Sequence, residues 1–180
     1  MKPTETALIA VIPEAEAAVG ELRARLDSSF TWGIPAHVTV FYPFLPPAAI
    51  DASVLAAVRQ TVSAVPRFAV TLTRAAWFTD RVLWLAPEPD EPFRALTVAL
   101  TARFPGAAPY HGEFDDIVPH LTVGHDHPRD VLDAAAAAVS AHLPIAATVD
   151  ALRLIAGRPE PGGGWTTLAR IPLAQRPAGR

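Results

Sequence analysis

Hydrophobic positions along the chain recur with two periods, near two where strands are expected and near 3.6 where helices are expected. Residues 6–12 form a short Ile/Val/Leu run closed by Pro13, which predicts a buried strand. Pro13 then opens a helix over residues 14–26, with Ala15, Ala18, Val19, Leu22 and Leu26 along one face. Residues 37–44 are β-branched and aromatic and end before Pro46-Pro47, so they predict a second strand. A helix over 51–65 is capped by Asp51 and buries Val54, Leu55, Val58 and Val62. Residues 68–73 alternate apolar and polar as a half-buried strand does, and Trp77-Phe78, a Thr79-Asp80 turn and residues 81–85 complete a hairpin.

Beyond the hairpin, helices are predicted over 91–104 and 131–141, and strands over 119–124, 147–155 and 165–171. The last two strands flank a Pro/Gly-rich turn at 157–164, and residues 105–116 form a long loop of the kind that often carries function. The resulting order, β-α-β-α-β-β-β-α-β-α-β-β, mixes antiparallel meanders with helices. That order predicts an α+β fold rather than a doubly wound parallel sheet.

Composition narrows the chemistry. The 180 residues are 51% hydrophobic and 18% charged, with a mean hydropathy of +0.25, enough to bury a real core. There is no cysteine, which excludes a disulfide scaffold, a thiol nucleophile, Cys-ligated zinc and iron–sulfur clusters. A formal net charge of −3 and a pI near 6.0 give no broad basic field for a long DNA duplex. Any bound phosphate must be held by a few local groups. The apolar run Ala7–Ile12 is too short for a signal peptide or a membrane span, so a cytoplasmic protein with no membrane partner is expected.

Two tetrapeptides stand apart, His37-Val38-Thr39-Val40 and His120-Leu121-Thr122-Val123, each inside a predicted strand. Residues i and i+2 of a strand share a face, so each His is presented with its Thr while the apolar partners point into the core. One strand histidine beside a threonine is ordinarily a satisfied, partly buried side chain. Two copies of the same polar pair argue instead for an internal repeat that contributes one strand per half to a shared cleft. Two facing imidazoles can act on one phosphorus as base and acid, and the threonine hydroxyls can donate to oxygens where negative charge grows.

With these motifs the chain resembles the 2H phosphoesterases, the RNA 2′,3′-cyclic phosphodiesterase and 2′-5′ RNA ligase group. The resemblance extends over nearly the whole chain, through residues 37–44, the approach to the second motif from Phe114, and the strands at 152–155 and 165–168. It implies a single bilobal duplicated domain over residues 1–180, with two antiparallel sheets flanking a central cleft and helices outside. It also implies a hydrolase that cleaves cyclic phosphates at RNA ends or in nucleotides without a metal or other cofactor. The residues carried over by motif position are His37, Thr39, His120 and Thr122. A 2′-5′ RNA ligase or 2′-5′ phosphodiesterase, or a non-catalytic module that binds nucleotides or RNA ends, are the alternative readings.

Candidates for stacking on a base are Tyr42, Trp77, Phe78, Trp84 and Tyr110, and Arg81 is a candidate for reaching the phosphate, with Arg158 a weaker one. His125-Asp126-His127 alternates like a ligand set, but its position between Gly124 and Pro128 reads as a turn and helix cap, and no metal is expected. His111 falls in the long loop. His142 sits at a helix C-terminus, where a cation is favoured. A monomer is expected.

Overall fold

The computed structural model describes residues 2–112 and 117–175, without the side chains of Tyr110 and His111. Strand β1 (Glu5–Val11) leads through a 3-10 turn at Pro13–Ala15 into α1 (Glu16–Leu26) and the short α2 (Ser28–Thr31), and the chain returns as β2 (His37–Phe41). After α3 (Ala52–Val62) come the hairpin strands β3 (Phe68–Phe78) and β4 (Val82–Glu88), then α4 (Glu91–Arg103) and β5 (Leu121–His125). Helix α5 (Arg129–Ser140) precedes β6 (Ile145–Val149), β7 (Ala151–Gly157) and β8 (Thr166–Pro172). The expected cap holds at Asp51, whose carboxylate accepts the Val54 N–H at 2.8 Å.

Two antiparallel four-stranded sheets result, in the orders β2-β1-β7-β8 and β5-β4-β3-β6. This is the α+β, duplicated architecture expected from the sequence, with each motif strand at the edge of its sheet. Sequence and structure part at the unexpected short helix α2, at His120, which stands one residue before β5 rather than inside a strand, and at two points in the strand pattern. The strand expected over 147–155 is two strands, β6 in one sheet and β7 in the other, with Asp150 between them. The break expected after Thr73 is a bulge at Leu72/Arg74, through which β3 continues to Phe78.

One face of each sheet is buried. Leu8, Ala10, Val38, Val40, Leu152 and Leu154 of the first sheet join Val70, Leu72, Leu83, Leu85, Leu121 and Val123 of the second in one continuous core. Helices cross between the halves: α1 packs on β5, and α4 packs on β2. At the first contact Gly124 lies so close that a Cβ there would come 2.7 Å from Leu26 Cβ. At the second, Thr97 donates its hydroxyl to the Val40 carbonyl of β2 at 2.8 Å. Both edge strands are thereby held by the partner half, and they meet along the cleft.

Candidate functional site

Strand alternation turns His37 and Thr39 of β2 to the side opposite Val38 and Val40. Leu121 and Val123 likewise enter the core and leave Thr122 on the cleft side, while His120 stands one step before β5, behind the residues that line the cleft. The histidines are fixed in the same way. His37 Nδ1 lies 2.7 Å from the Pro35 carbonyl and His120 Nδ1 lies 2.8 Å from the Val118 carbonyl, each two residues upstream. A carbonyl only accepts, so each Nδ1 carries the proton and each neutral ring keeps its Nε2 lone pair free.

Burial pushes the His37 imidazole down to about 4, with the Pro35 carbonyl opposing and the charges of Arg23 and His120 adding to the fall. Burial also lowers His120, against the pull of the Val118 carbonyl. His120 is packed edge-on against Phe78, with ring centroids 4.9 Å apart, and Phe78 in turn stacks on Trp84 at 4.7 Å. That aromatic pair sets the plane of the His120 ring.

A cleft of about 320 Å³ opens beside His37, Thr39 and Thr122. Its floor is the second face of the first sheet, where Ala7, Ile9, Ile155 and Trp165 form a small apolar cluster with Ile34, Trp32 and Tyr42 against it. Tyr42 meets Trp165 edge-on at 6.2 Å and donates its hydroxyl to Glu5, and burial together with that carboxylate raises its pKa. The Trp165 indole N–H is buried with no partner among the described residues.

Polar groups line the other wall. Arg23, fully buried, donates from Nε to Asp27 at 2.9 Å and from Nη2 to the Ile34 carbonyl at 3.0 Å. Burial would raise the Asp27 carboxyl, but His125, Arg23 and Ser29 together draw it down to about 2. His125 lies 3.2 Å from Ser28 Oγ and 3.7 Å from Asp27 Oδ1 through Nε2 and 3.1 Å from Asp126 through Nδ1, and the two carboxylates, Asp27 first, raise its pKa against the effect of burial. The expected turn role of 125–127 is therefore incomplete: His125 ends β5 and lines the cleft, while the cap position of α5 is Pro128 with no side-chain bond.

Of the other sequence candidates, Tyr42 lines the cleft and Phe78 and Trp84 back His120. Trp77 is turned elsewhere, under the Arg129 guanidinium at 4.0 Å. Arg81 is ion-paired with Asp126 at 2.6 Å, and Arg158 with Glu160. The side chains of Tyr110 and His111 and the whole of residues 113–116, with Phe114, lie outside the described residues. Reading the sequence missed Trp32, Trp165, Ser28, Asp27 and His125 as cleft residues, because only tertiary folding brings them there.

A family model described as the 2′-5′ RNA ligase superfamily matches residues 11–159. No curated protein matches the chain by sequence. Among solved structures, E. coli LigT complexed with 3′-AMP is similar at a TM-score of 0.63 and 18% identity, covering 97% of this chain and 100% of that one. LigT complexed with NADP+ gives a TM-score of 0.60 at 21% identity over 97% and 100% of the two chains. The protein TT0787 of Thermus thermophilus gives 0.68 at 17% identity over 95% and 98%. At these identities the likeness is one of fold. The family match spans most of the chain and both His-x-Thr segments, and by it the protein belongs to the 2′-5′ RNA ligase superfamily, a group within the 2H phosphoesterases.

Proposed function

We propose that the protein hydrolyses 2′,3′-cyclic phosphates on nucleotides or RNA ends, with His37 and His120 as base and acid and with Thr39 and Thr122 as phosphate donors. The observation that carries this reading is the matched clamp on the two rings. Each histidine is held by Nδ1 to a carbonyl two residues upstream, which leaves its Nε2 for proton transfer. In the reaction one Nε2 takes a proton from water as its oxygen bonds to phosphorus. The P–O bond to one ribose oxygen breaks, and the other imidazole, protonated, gives that oxygen its proton. The product is a 2′- or 3′-phosphate, and the two rings have exchanged protonation states.

With both imidazoles held below their ordinary range, the acid's proton is scarce at neutral pH. The anionic substrate supplies the charge that favours taking it up. Tyr42, Trp32 and Trp165 fit a nucleobase, and LigT complexed with 3′-AMP supports a nucleotide in this fold. The family description favours a second reading, 2′-5′ ligation or cleavage, because the same pair of proton transfers runs in either direction. The test is hydrolysis of the four nucleoside 2′,3′-cyclic monophosphates with excess chelator. Chelator-resistant turnover to one regioisomer is expected. Turnover of 2′-5′ linkages alone would put the second reading first, and binding without turnover of any phosphodiester would leave a nucleotide-binding module.

A further inference from the structure

The cleft face of the first sheet does not end at Ile9. In the strand register Thr39 stands opposite Ile9, Ile9 opposite Arg153, and Arg153 opposite Arg170, so one row crosses all four strands from the cleft to a pair of arginines. The alternation of β7 confirms the face: Leu152 and Leu154 enter the core, whereas Ile155, two residues from Arg153, belongs to the cleft floor. Arg153 lies two strands from Thr39, about 10 Å away. A second cavity, of about 400 Å³, is built around it from Val11, Glu14, Arg67, Asp150 and Arg170. Val11 is the strand partner of His37, so this cavity begins beside the first motif.

The charges do not cancel. Arg170 is taken by Asp150 at 2.8 Å, and Glu14 accepts the Thr148 N–H at 3.3 Å. Arg67 and Arg153 make no side-chain hydrogen bond or ion pair among the described residues. Two guanidiniums are therefore free for an anion in a chain whose net charge is −3. Along β1 the order is aromatic floor at Ala7, reaction centre at Ile9 and Val11, arginine cavity at Val11 and beyond. A substrate extended in that direction would place phosphates, and not a base, over Arg153.

We propose that Arg153 and Arg67, with Arg170 beside them, dock the phosphate backbone of a single-stranded oligonucleotide whose reactive end occupies the cleft. At about 10 Å from Thr39, the site lies beyond the nucleotide that occupies the reaction centre. It makes oligonucleotide ends, rather than free mononucleotides, the preferred substrates. This rests on the phosphodiesterase reading for the end that reacts, but the backbone contact can be measured without turnover.

The experiment is binding of a fluorophore-labelled RNA pentamer bearing a 3′-terminal phosphate, followed by anisotropy against salt, for the full chain and for Arg153→Gln, Arg67→Gln and Arg153→Lys. Each Gln variant is expected to bind about tenfold more weakly and to lose about 0.7 from the slope of log affinity on log salt per phosphate contact removed. Arg153→Lys keeps the slope. In parallel, the ratio of kcat/KM for a cyclic-phosphate-ended pentamer to that for a nucleoside 2′,3′-cyclic monophosphate should fall about tenfold in the Gln variants. Unchanged affinity and slope in both Gln variants would overturn the docking site. Absence of turnover in the unaltered protein, with the binding differences intact, would instead overturn the phosphodiesterase reading alone.

Discussion

The two motif strands are the same device placed in different surroundings. Each is a sheet edge, each holds its histidine by an Nδ1 bond to a carbonyl two residues back, and each is clasped by a helix from the other half. Around His120 the neighbours are aromatic, Phe78 and Trp84, and they orient the ring without offering a charge. Around His37 lie the buried Arg23–Asp27 pair, His125, and an apolar floor open to a ligand. The backbone clamp is what the two halves share, and the wall chemistry is where they diverge. On the proposed mechanism, proton transfer falls to the duplicated part and substrate selection to the unduplicated part.

The largest effect should come from breaking the shared part. Replacing His37 or His120 with Ala removes the proposed general acid or base and should lower turnover by about 10²- to 10⁴-fold in either case. Single-turnover assays on both variants check this, and near-wild-type rates from either one would end the equivalence of the halves.

The next effect should fall on one half only. Asp27→Ala leaves the Arg23 guanidinium buried and uncompensated, and Arg23 and Asp27 side chains are 1% and 3% exposed. A loss of about 3–5 kcal/mol is expected by denaturant titration. A loss below about 1 kcal/mol would mean that Arg23 finds other partners. The His120 side has no counterpart to this pair among the described residues.

The titration of His37 sharpens the same contrast. Its folded-state pKa of about 4 lies below the ordinary 6.5, so the unfolded chain binds the proton first. Its contribution is present above pH 6.5 and is lost as the pH falls from there to 4, by at most about 3 kcal/mol. His125 has the opposite sign, because its raised pKa makes its contribution present below 6.5 and lost as the pH rises through the folded value. Denaturation curves across pH for His37→Asn should lack the acid-side slope. An unchanged slope would place it on other groups.

Much of this was legible in the sequence, for reasons that particular residues show. His37-x-Thr39 and His120-x-Thr122 could be read because period two fixes faces without tertiary information. The split of 147–155 was legible in principle: buried positions fall on 147 and 149, then on 152 and 154, and the change of parity at Asp150 is where the chain leaves one sheet for the other. In β3 a similar change from 70 and 72 to 75 and 77 marks a bulge rather than a strand end, and parity alone does not separate the two cases. The meeting of Asp27 with His125, and of Trp32 with Trp165, follows from sheets assembled over long separations. No local pattern carries it.

The two clasps give the smallest and most discriminating test. On β2 the clasp is polar, the Thr97 hydroxyl donating to Val40 O at 2.8 Å, with the Phe93 carbonyl at 3.1 Å as a second acceptor. On β5 it is steric, since Gly124 admits Leu26 to 2.7 Å and Leu132 to 3.2 Å of where a Cβ would stand. Gly124→Ala should therefore cost about 1–3 kcal/mol by overpacking, and it should slow turnover because β5 carries Thr122. Thr97→Val keeps the shape and removes one donor, for a cost of about 1 kcal/mol. With Val40 in the core and the His37 clamp made by Pro35, turnover should follow stability in this variant and fall no further. If Thr97→Val instead slowed turnover more than Gly124→Ala, the position of β2 would depend on a single hydroxyl, and the half that bears the ligand floor would be the less rigid of the two.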